Sequence, residues 1–215
     1  DKNLQYLAER ELADGLRETQ AKAGSVVMLE PSTGKVLAMA NYPEYNPNAF
    51  SRYKPSQWRN RAVCDSFEPG STFKVILMAA ALNEAVVSTK QKIDCENGEF
   101  RVGGKDIHDH KGYQKLTPAE IIKYSSNIGS AKIGKMLERN AFHRYIEDFG
   151  FGQQTGIDLP GEVVGLVSKP DKWFEVDLAA ISFGQGISVT PIQLTAAVAA
   201  IANGGYLMEP YVVDR

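Results

Sequence analysis

Eight consecutive residues, Val75-Ile76-Leu77-Met78-Ala79-Ala80-Ala81-Leu82, carry no polar side chain. A helix over this run, beginning near Ser71 behind the Pro69-Gly70 turn, has no face to give to water. It has to lie centrally, with other elements packed around it. The rest of the chain supplies them. Leu4, Leu7, Ala8, Leu12 and Leu16 recur near a 3.6 period with charged residues between them, which predicts an amphipathic helix closed by Ala23-Gly24. Ser25–Leu29 reads as a buried strand, and Val36–Ala40 as its return across the Glu30–Lys35 loop. Thr117-Pro118-Ala119-Glu120 and Thr190-Pro191-Ile192-Gln193 each combine a capping hydroxyl, a proline suited to the first helical position and a side chain that reaches back to the cap. They open helices, the second carrying Leu194, Ala197, Val198 and Ile201 to a stop at Asn203-Gly204-Gly205. Further helices are predicted from about Ile128 to Arg139, and through Phe142 and Ile146 to Gly150. Residues 41–65 read as an irregular surface segment and 88–116 as a polar loop. One hairpin among many helices predicts an α+β class.

The totals exclude several functions. With 24 basic and 26 acidic residues the net charge is −2, which gives no basis for binding nucleic acid or an anionic membrane surface. Two cysteines, Cys64 and Cys95, rule out a disulfide-dense scaffold. No stretch approaches the roughly 18 apolar residues of a membrane span, and no signal peptide opens the chain. The chain starts at Asp1, inside a helical pattern, so the expectation is a piece of a longer protein.

Chemistry centres on Ser-x-x-Lys. The spacing puts an alcohol and an amine one helical turn apart, where the amine can serve as the base that a serine nucleophile needs. The pattern occurs three times, at Ser32–Lys35, Ser51–Lys54 and Ser71–Lys74. The first lies in the hairpin loop and the second in the irregular segment. Only Ser71 heads a buried helix, where the N-terminal field favours a developing oxyanion. A plainer reading of position alone makes Ser71 a cap and Lys74 a surface charge. The triplet Ser125-Ser126-Asn127, at the end of a predicted helix, shifts the balance. It can bring a second hydroxyl for proton relay and a carboxamide for gripping a peptide. His108-Asp109-His110, with Asp94, Cys95 and Glu96 upstream, has zinc-ligand residue types, but a polar surface loop is the simpler reading and no metal is expected. Trp58 and Trp173 read as packing residues.

Ser-x-x-Lys followed by Ser-x-Asn is part of the signature of class A β-lactamases and penicillin-binding proteins. The surrounding residues extend the likeness. Asn60-Arg61-Ala62-Val63, the run from Phe67 to Lys74, Ser125–Gly129, Gly150–Gly152, Thr155–Glu162 and above all Ser182–Leu194 resemble class B penicillin-binding proteins over nearly the whole chain. Their wording is closer to the division (septal) branch than to the elongation branch. The resemblance implies a β-lactamase/transpeptidase-like fold, with helices packed around an antiparallel sheet. It implies a D,D-transpeptidase that cross-links peptidoglycan stem peptides and is acylated by β-lactam antibiotics. Ser71 would be the nucleophile, Lys74 its base, Ser125 a proton relay and Asn127 a substrate-binding residue, with no cofactor or metal. It further implies a membrane-anchored parent on the outer side of the bacterial cytoplasmic membrane (the periplasm in a Gram-negative cell), with division-complex proteins among its partners and its anchoring segment outside these residues.

One element of the family pattern is wanting. Neither Lys-Thr-Gly nor Lys-Ser-Gly occurs, so residues 1–215 are expected to form a partial transpeptidase domain with an incomplete sheet and impaired acylation. Two rival readings stay open. One is a serine β-lactamase or penicillin-sensing domain of the same fold, which differs in whether water releases the acyl group. The other is a non-catalytic fragment that binds a partner.

Overall fold

The computed structural model describes residues 1–214. In chain order the elements are helix α1 (Lys2–Thr19), strands β1 (Gly24–Leu29) and β2 (Val36–Tyr42), helices α2 (Arg61–Cys64) and α3 (Lys74–Asn83), strands β3 (Ile93–Asp94), β4 (Glu99–Val102), β5 (Lys105–His108) and β6 (Lys115–Leu116), then helices α4 (Pro118–Tyr124), α5 (Asn127–Leu137), α6 (Arg139–Asp148), α7 (Glu175–Ile181) and α8 (Pro191–Ala202). They divide into two compact units, each assembled from separate stretches of chain.

The first unit comprises, among the described residues, 1–66, 152–165 and 189–214. Its centre is the antiparallel hairpin of β1 and β2, which has helices on both faces. Strand alternation sends Val26 and Met28 to one side, where with Ala38 and Ala40 they meet Leu4, Ala8 and Leu12 of α1. Val27, Leu29, Val36 and Met39 point the other way, against Val63 of α2, Ile157 and Ile192 of α8. An extra residue, Leu37, sits between the pairs Met28↔Ala38 and Leu29↔Val36, so the ladder carries a bulge there. The free border of β2 is occupied. Gln5 receives a hydrogen bond from Met39 N at 2.8 Å and donates one to Met39 O at 3.0 Å. The ammonium of Asp1 donates to Leu37 O at 2.7 Å.

Two expectations for this unit need correction. Helix α1 closes at Gln20, whose backbone is left-handed (φ 56°) and whose N–H returns to Leu16 O. Gly24 belongs instead to β1, where a Cβ would meet the methyl ends of Leu12 at 3.0 Å and Leu16 at 3.3 Å. The segment 41–65 is not uniformly superficial either, because the single turn α2 buries Ala62 and Val63 completely.

The second unit comprises residues 67–151 and 166–188. The apolar run forms α3, with Ile76, Leu77, Ala80 and Ala81 fully buried, and α4, α5 and α6 pack on it. Phe73, just ahead of α3, sits 5.2 Å from the Phe151 ring and 6.2 Å from that of Phe142 on α6. Helix α4 carries the expected box, in which Thr117 Oγ1 accepts from Glu120 N and Glu120 Oε2 accepts from Thr117 N. Helix α5 passes so close to the end of α7 that a Cβ on Gly134 would stand 1.9 Å from Ser182 Oγ.

Residues 88–116 are more ordered than a loop. Strands β4 and β5 form a hairpin turned by Gly103 and Gly104, both at positive φ, with Val102 and Ile107 buried. Strands β3 and β6 pair through Ile93↔Leu116 and Asp94↔Lys115. Helix α7 is likewise additional to the elements predicted. No helix among the described residues is long and apolar enough to cross a membrane.

Candidate active site

The four residues singled out by motif lie in the second unit. Ser71 stands in a 3-10 turn, Gly70–Phe73, that runs directly into α3, and Lys74 is the first residue of that helix. Thr72 Oγ1 donates to Pro69 O at 2.6 Å and tightens the turn. The turn is also gripped from outside. Gly70 N donates to Gly184 O, and Gly186 N to the Glu68 carboxylate, each at 2.9 Å. Gly184 lies so close beneath the turn that a Cβ there would be 2.1 Å from Gly70 O. The Ser182–Gly186 segment therefore acts on the nucleophile loop through its backbone, which explains why small residues are needed there.

Ser125, Ser126 and Asn127 form the junction of two helices, not the tail of one. Ser125 ends α4 in the left-handed conformation (φ 56°, ψ 42°), Ser126 caps α5 by accepting from Gly129 N at 2.9 Å, and Asn127 begins α5. The sharp reversal at Ser125 turns its side chain toward Ser71.

The four side chains form one hydrogen-bonded cluster. Lys74 Nζ donates to Ser125 Oγ at 2.9 Å, to Ser125 O at 2.7 Å and to Asn127 Oδ1 at 2.9 Å. Ser125 Oγ donates to Ser71 Oγ at 2.8 Å. The path from Ser71 to Lys74 thus runs through Ser125. Lys74 is only 1% exposed. That burial lowers its pKa to about 8, and the charge of Asp109 works against the fall. Ser71 itself is exposed.

Position separates the three Ser-x-x-Lys pairs. Lys35 makes an exposed ion pair with Asp214 at 2.6 Å, and Lys54 is exposed beside a short turn. Trp173 is buried, with its indole N–H on Ser168 O and Oγ, whereas Trp58 packs edge-on against Phe50 and stays 40% exposed. Both cysteines are free thiols. Among the described residues no group of three or more His, Cys, Asp or Glu side chains gathers as a metal site.

Sequence reasoning missed Asp109 and Glu68. Asp109 Oδ1 accepts from Asn127 N at 2.6 Å and Ile128 N at 3.1 Å, and its Oδ2 accepts from Ser126 Oγ at 2.6 Å. An acidic residue between two histidines carries no local sign of such a reach. The charge of Glu68, two residues before Gly70, was the available hint for the second.

The penicillin binding protein transpeptidase domain model matches residues 24–215. Stage V sporulation protein D of Bacillus subtilis is 39% identical over 218 residues, covering 100% of this chain and 34% of that protein. Peptidoglycan D,D-transpeptidase FtsI of Escherichia coli K12 is 37% identical over 205 residues, covering 95% of this chain and 34% of its own. The chain therefore spans about a third of the length of these curated relatives. Among solved structures, the transpeptidase domain of Burkholderia pseudomallei penicillin-binding protein 3 superimposes with a TM-score of 0.90 at 31% identity, over 100% of this chain and 60% of that one. A peptidoglycan glycosyltransferase from Burkholderia ambifaria gives a TM-score of 0.91 at 32% identity, with coverage of 100% and 64%.

Proposed function

The chain belongs to the penicillin-binding protein transpeptidase domain family, and from that premise we propose that the Ser71 cluster is the nucleophilic centre of an acyl-serine D,D-transpeptidase. The observation that carries this reading is the continuous hydrogen-bonded path from Ser71 Oγ through Ser125 Oγ to Lys74 Nζ. Ser71 Oγ attacks the carbonyl carbon of the penultimate D-alanine of a stem peptide. With Lys74 neutral the two hydroxyls turn over, Ser71 donating to Ser125 and Ser125 to Lys74, so the Ser71 proton passes to Ser125 Oγ as the Ser125 proton passes to Lys74 Nζ. Lys74 must be neutral at that moment, and a pKa of about 8 brings the neutral amine within reach near physiological pH. The amide bond to the terminal D-alanine then breaks, and the departing amine recovers a proton from Lys74 along the same path. An amine from a neighbouring stem attacks the Ser71 ester and surrenders a proton to the relay. It forms the cross-link and restores the serine.

Asn127 presents Oδ1 to Lys74 and one amide proton to His108 O, at 3.2 Å. Its second amide proton is left for a carbonyl of the donor peptide. A β-lactam offers a ring amide to the same oxygen and remains as an ester on Ser71. These steps draw on protein groups alone.

Lys-Thr-Gly does not occur in the 215 residues. The family pattern assigns that element one of two oxyanion donors, and loss of one donor costs about 10²–10³ in rate. The two units are read as parts of one transpeptidase domain, and acylation by these residues alone is read as slow. The extracytoplasmic setting, the membrane anchor, the division role and division-complex partners follow from the resemblance to the septal branch and form part of the proposal.

Intact-mass spectrometry after incubation with benzylpenicillin tests it. The expected result is a single penicilloyl adduct, mapped to Ser71 and absent from Ser71→Ala. Catalytic release of hydrolysed penicillin would point to a β-lactamase. A protein that is folded but never gains mass would overturn the catalytic reading in favour of a partner-binding module.

A further inference from the structure

We propose that Asp109 is the positioning residue of this centre, clamping the start of α5 so that Ser125 and Asn127 are held toward Lys74. The inference rests on the transpeptidase reading above and deepens it. The clamp has two jaws at the end of the β4–β5 hairpin. The Asp109 carboxylate takes the backbone N–H of Asn127, the N–H of Ile128 and the hydroxyl of Ser126. The carbonyl of the preceding residue, His108, takes the Asn127 side-chain Nδ2 at 3.2 Å. With Nδ2 so engaged, the amide has only one way to lie, and Oδ1 meets Lys74 Nζ at 2.9 Å. The same clamp fixes Ser126, and so the left-handed reversal at Ser125 that places the relay oxygen 2.8 Å from Ser71. A carboxylate shared by two N–H groups and a hydroxyl at a helix N-terminus is a strong anchor, since both its charge and its acceptor capacity suit that end.

The clamp also sets the field on the base. Lys74 is surrounded by the uncharged Ser71, Ser125 and Asn127, and Asp109 is the charged group whose influence reaches it. Burial lowers the Lys74 pKa, and the Asp109 charge limits the fall. His108 and His110 flank Asp109 in the chain, and the charges of Asp109, Lys132 of α5 and Asp94 all reach the neighbouring Cys95, with Lys132 paired to Glu96 at 2.5 Å. Cys95 lies 3.5 Å from Ser126 Oγ, and burial pushes its thiol up, so it stays uncharged near neutral pH.

Asp109→Asn tests the proposal, since it keeps the shape and removes the charge. The acylation rate of Ser71 by benzylpenicillin is measured against pH in the wild-type chain and the variant, alongside the titration of Lys74 followed by NMR of 13C-labelled lysine. The expected result is a rate lower by about 10-fold to 10²-fold, the scale of a small misplacement of reacting groups. The Lys74 titration, and the rise of rate with pH that follows it, should both move to lower pH. A merely structural residue would slow the reaction without moving either midpoint. Equal rates and an unmoved Lys74 titration would overturn the proposal. If the wild-type chain gains no adduct, the transpeptidase reading fails, but the Lys74 titration still decides the role of Asp109. Where the variant is too unstable to assay, hydrogen exchange at Asn127 and Ile128 in Asp109→Glu decides it. Slow exchange with a Lys74 titration near the wild-type value supports the clamp, and fast exchange with an unchanged titration refutes it.

Discussion

Replacing Gly184 by alanine should damage the nucleophile loop from a distance. Gly184 holds φ at +80°, a conformation that costs an ordinary L-residue about 1–2 kcal/mol. The added methyl would also stand 2.1 Å from Gly70 O and 2.7 Å from Gly70 N and C. Ordinary carbon–oxygen contacts lie at about 3.3 Å or more, so the two segments must part by about 1 Å. Parting them breaks the Gly70 N to Gly184 O bond and strains the one from Gly186 N to the charged Glu68. Such bonds are worth about 0.5–1.5 and about 1.5–3 kcal/mol respectively. With the conformational cost included the loss is roughly 3–6 kcal/mol in all, or about 6–24 °C in Tm for a chain of this length. Because Gly70 immediately precedes Ser71, a shift of this size should slow acylation on the order of 10²-fold. Gly186→Ala is the control. Its φ is +75°, but the nearest atom to its added methyl is Ile181 Cγ1 at 3.9 Å. It should therefore show only the conformational cost of about 1–2 kcal/mol and acylate nearly as fast as wild type. Thermal melts and penicillin-binding kinetics on both variants decide the matter. If the two alanines prove equally mild, Gly184 does not support the loop by close approach.

Two further predictions concern the second unit. Lys74 has a folded pKa of about 8, below the value of about 10.4 expected in the unfolded chain. The unfolded state therefore binds more protons between those values, and the contribution of Lys74 to stability should rise with pH across that window. Lys74→Met should remove the rise, seen as the difference between wild-type and variant urea midpoints from pH 7 to pH 10.5. Phe142→Ala, which empties a fully buried position against Phe73, should cost about 3–5 kcal/mol by chemical denaturation. A loss below about 1 kcal/mol would show that the aromatic cluster is not the anchor of the Ser71 turn.

What could be read from sequence was whatever local chemistry decides. Thr117 and Glu120, or Thr190 and Gln193, meet within one turn of helix, so their pairing follows from spacing alone. The run at 75–82 reads as central because it has no polar face, and α3 does bury Ile76, Leu77, Ala80 and Ala81, although Leu82 at its end stays 38% exposed. The β4–β5 hairpin escaped although Gly103-Gly104 marks its turn, because four-residue strands with charges at half their positions resemble a polar loop. Helix α7 escaped because seven residues give barely two turns of periodicity, and its start is held by Asp177 accepting from Phe174 N. In the site, spacing could not tell Ser71–Lys74 from Ser32–Lys35. Burial of Lys74 separates them, and burial is a property of the assembled unit. Asp109 reaches Asn127 across 18 residues of chain, and only the folded hairpin makes that approach visible.

The amide of Gln5 has a consequence for how the hairpin can associate. Met39 gives its N–H and C=O to Gln5, so its cross-strand partner Val27 must direct its own backbone groups away from β2. Among the described residues no strand lies beside Val27. The sheet can therefore grow in one direction only. Edge-to-edge stacking into long assemblies needs two open borders on every copy, and here one is sealed. Pairing of two copies through their open borders therefore ends at a closed pair.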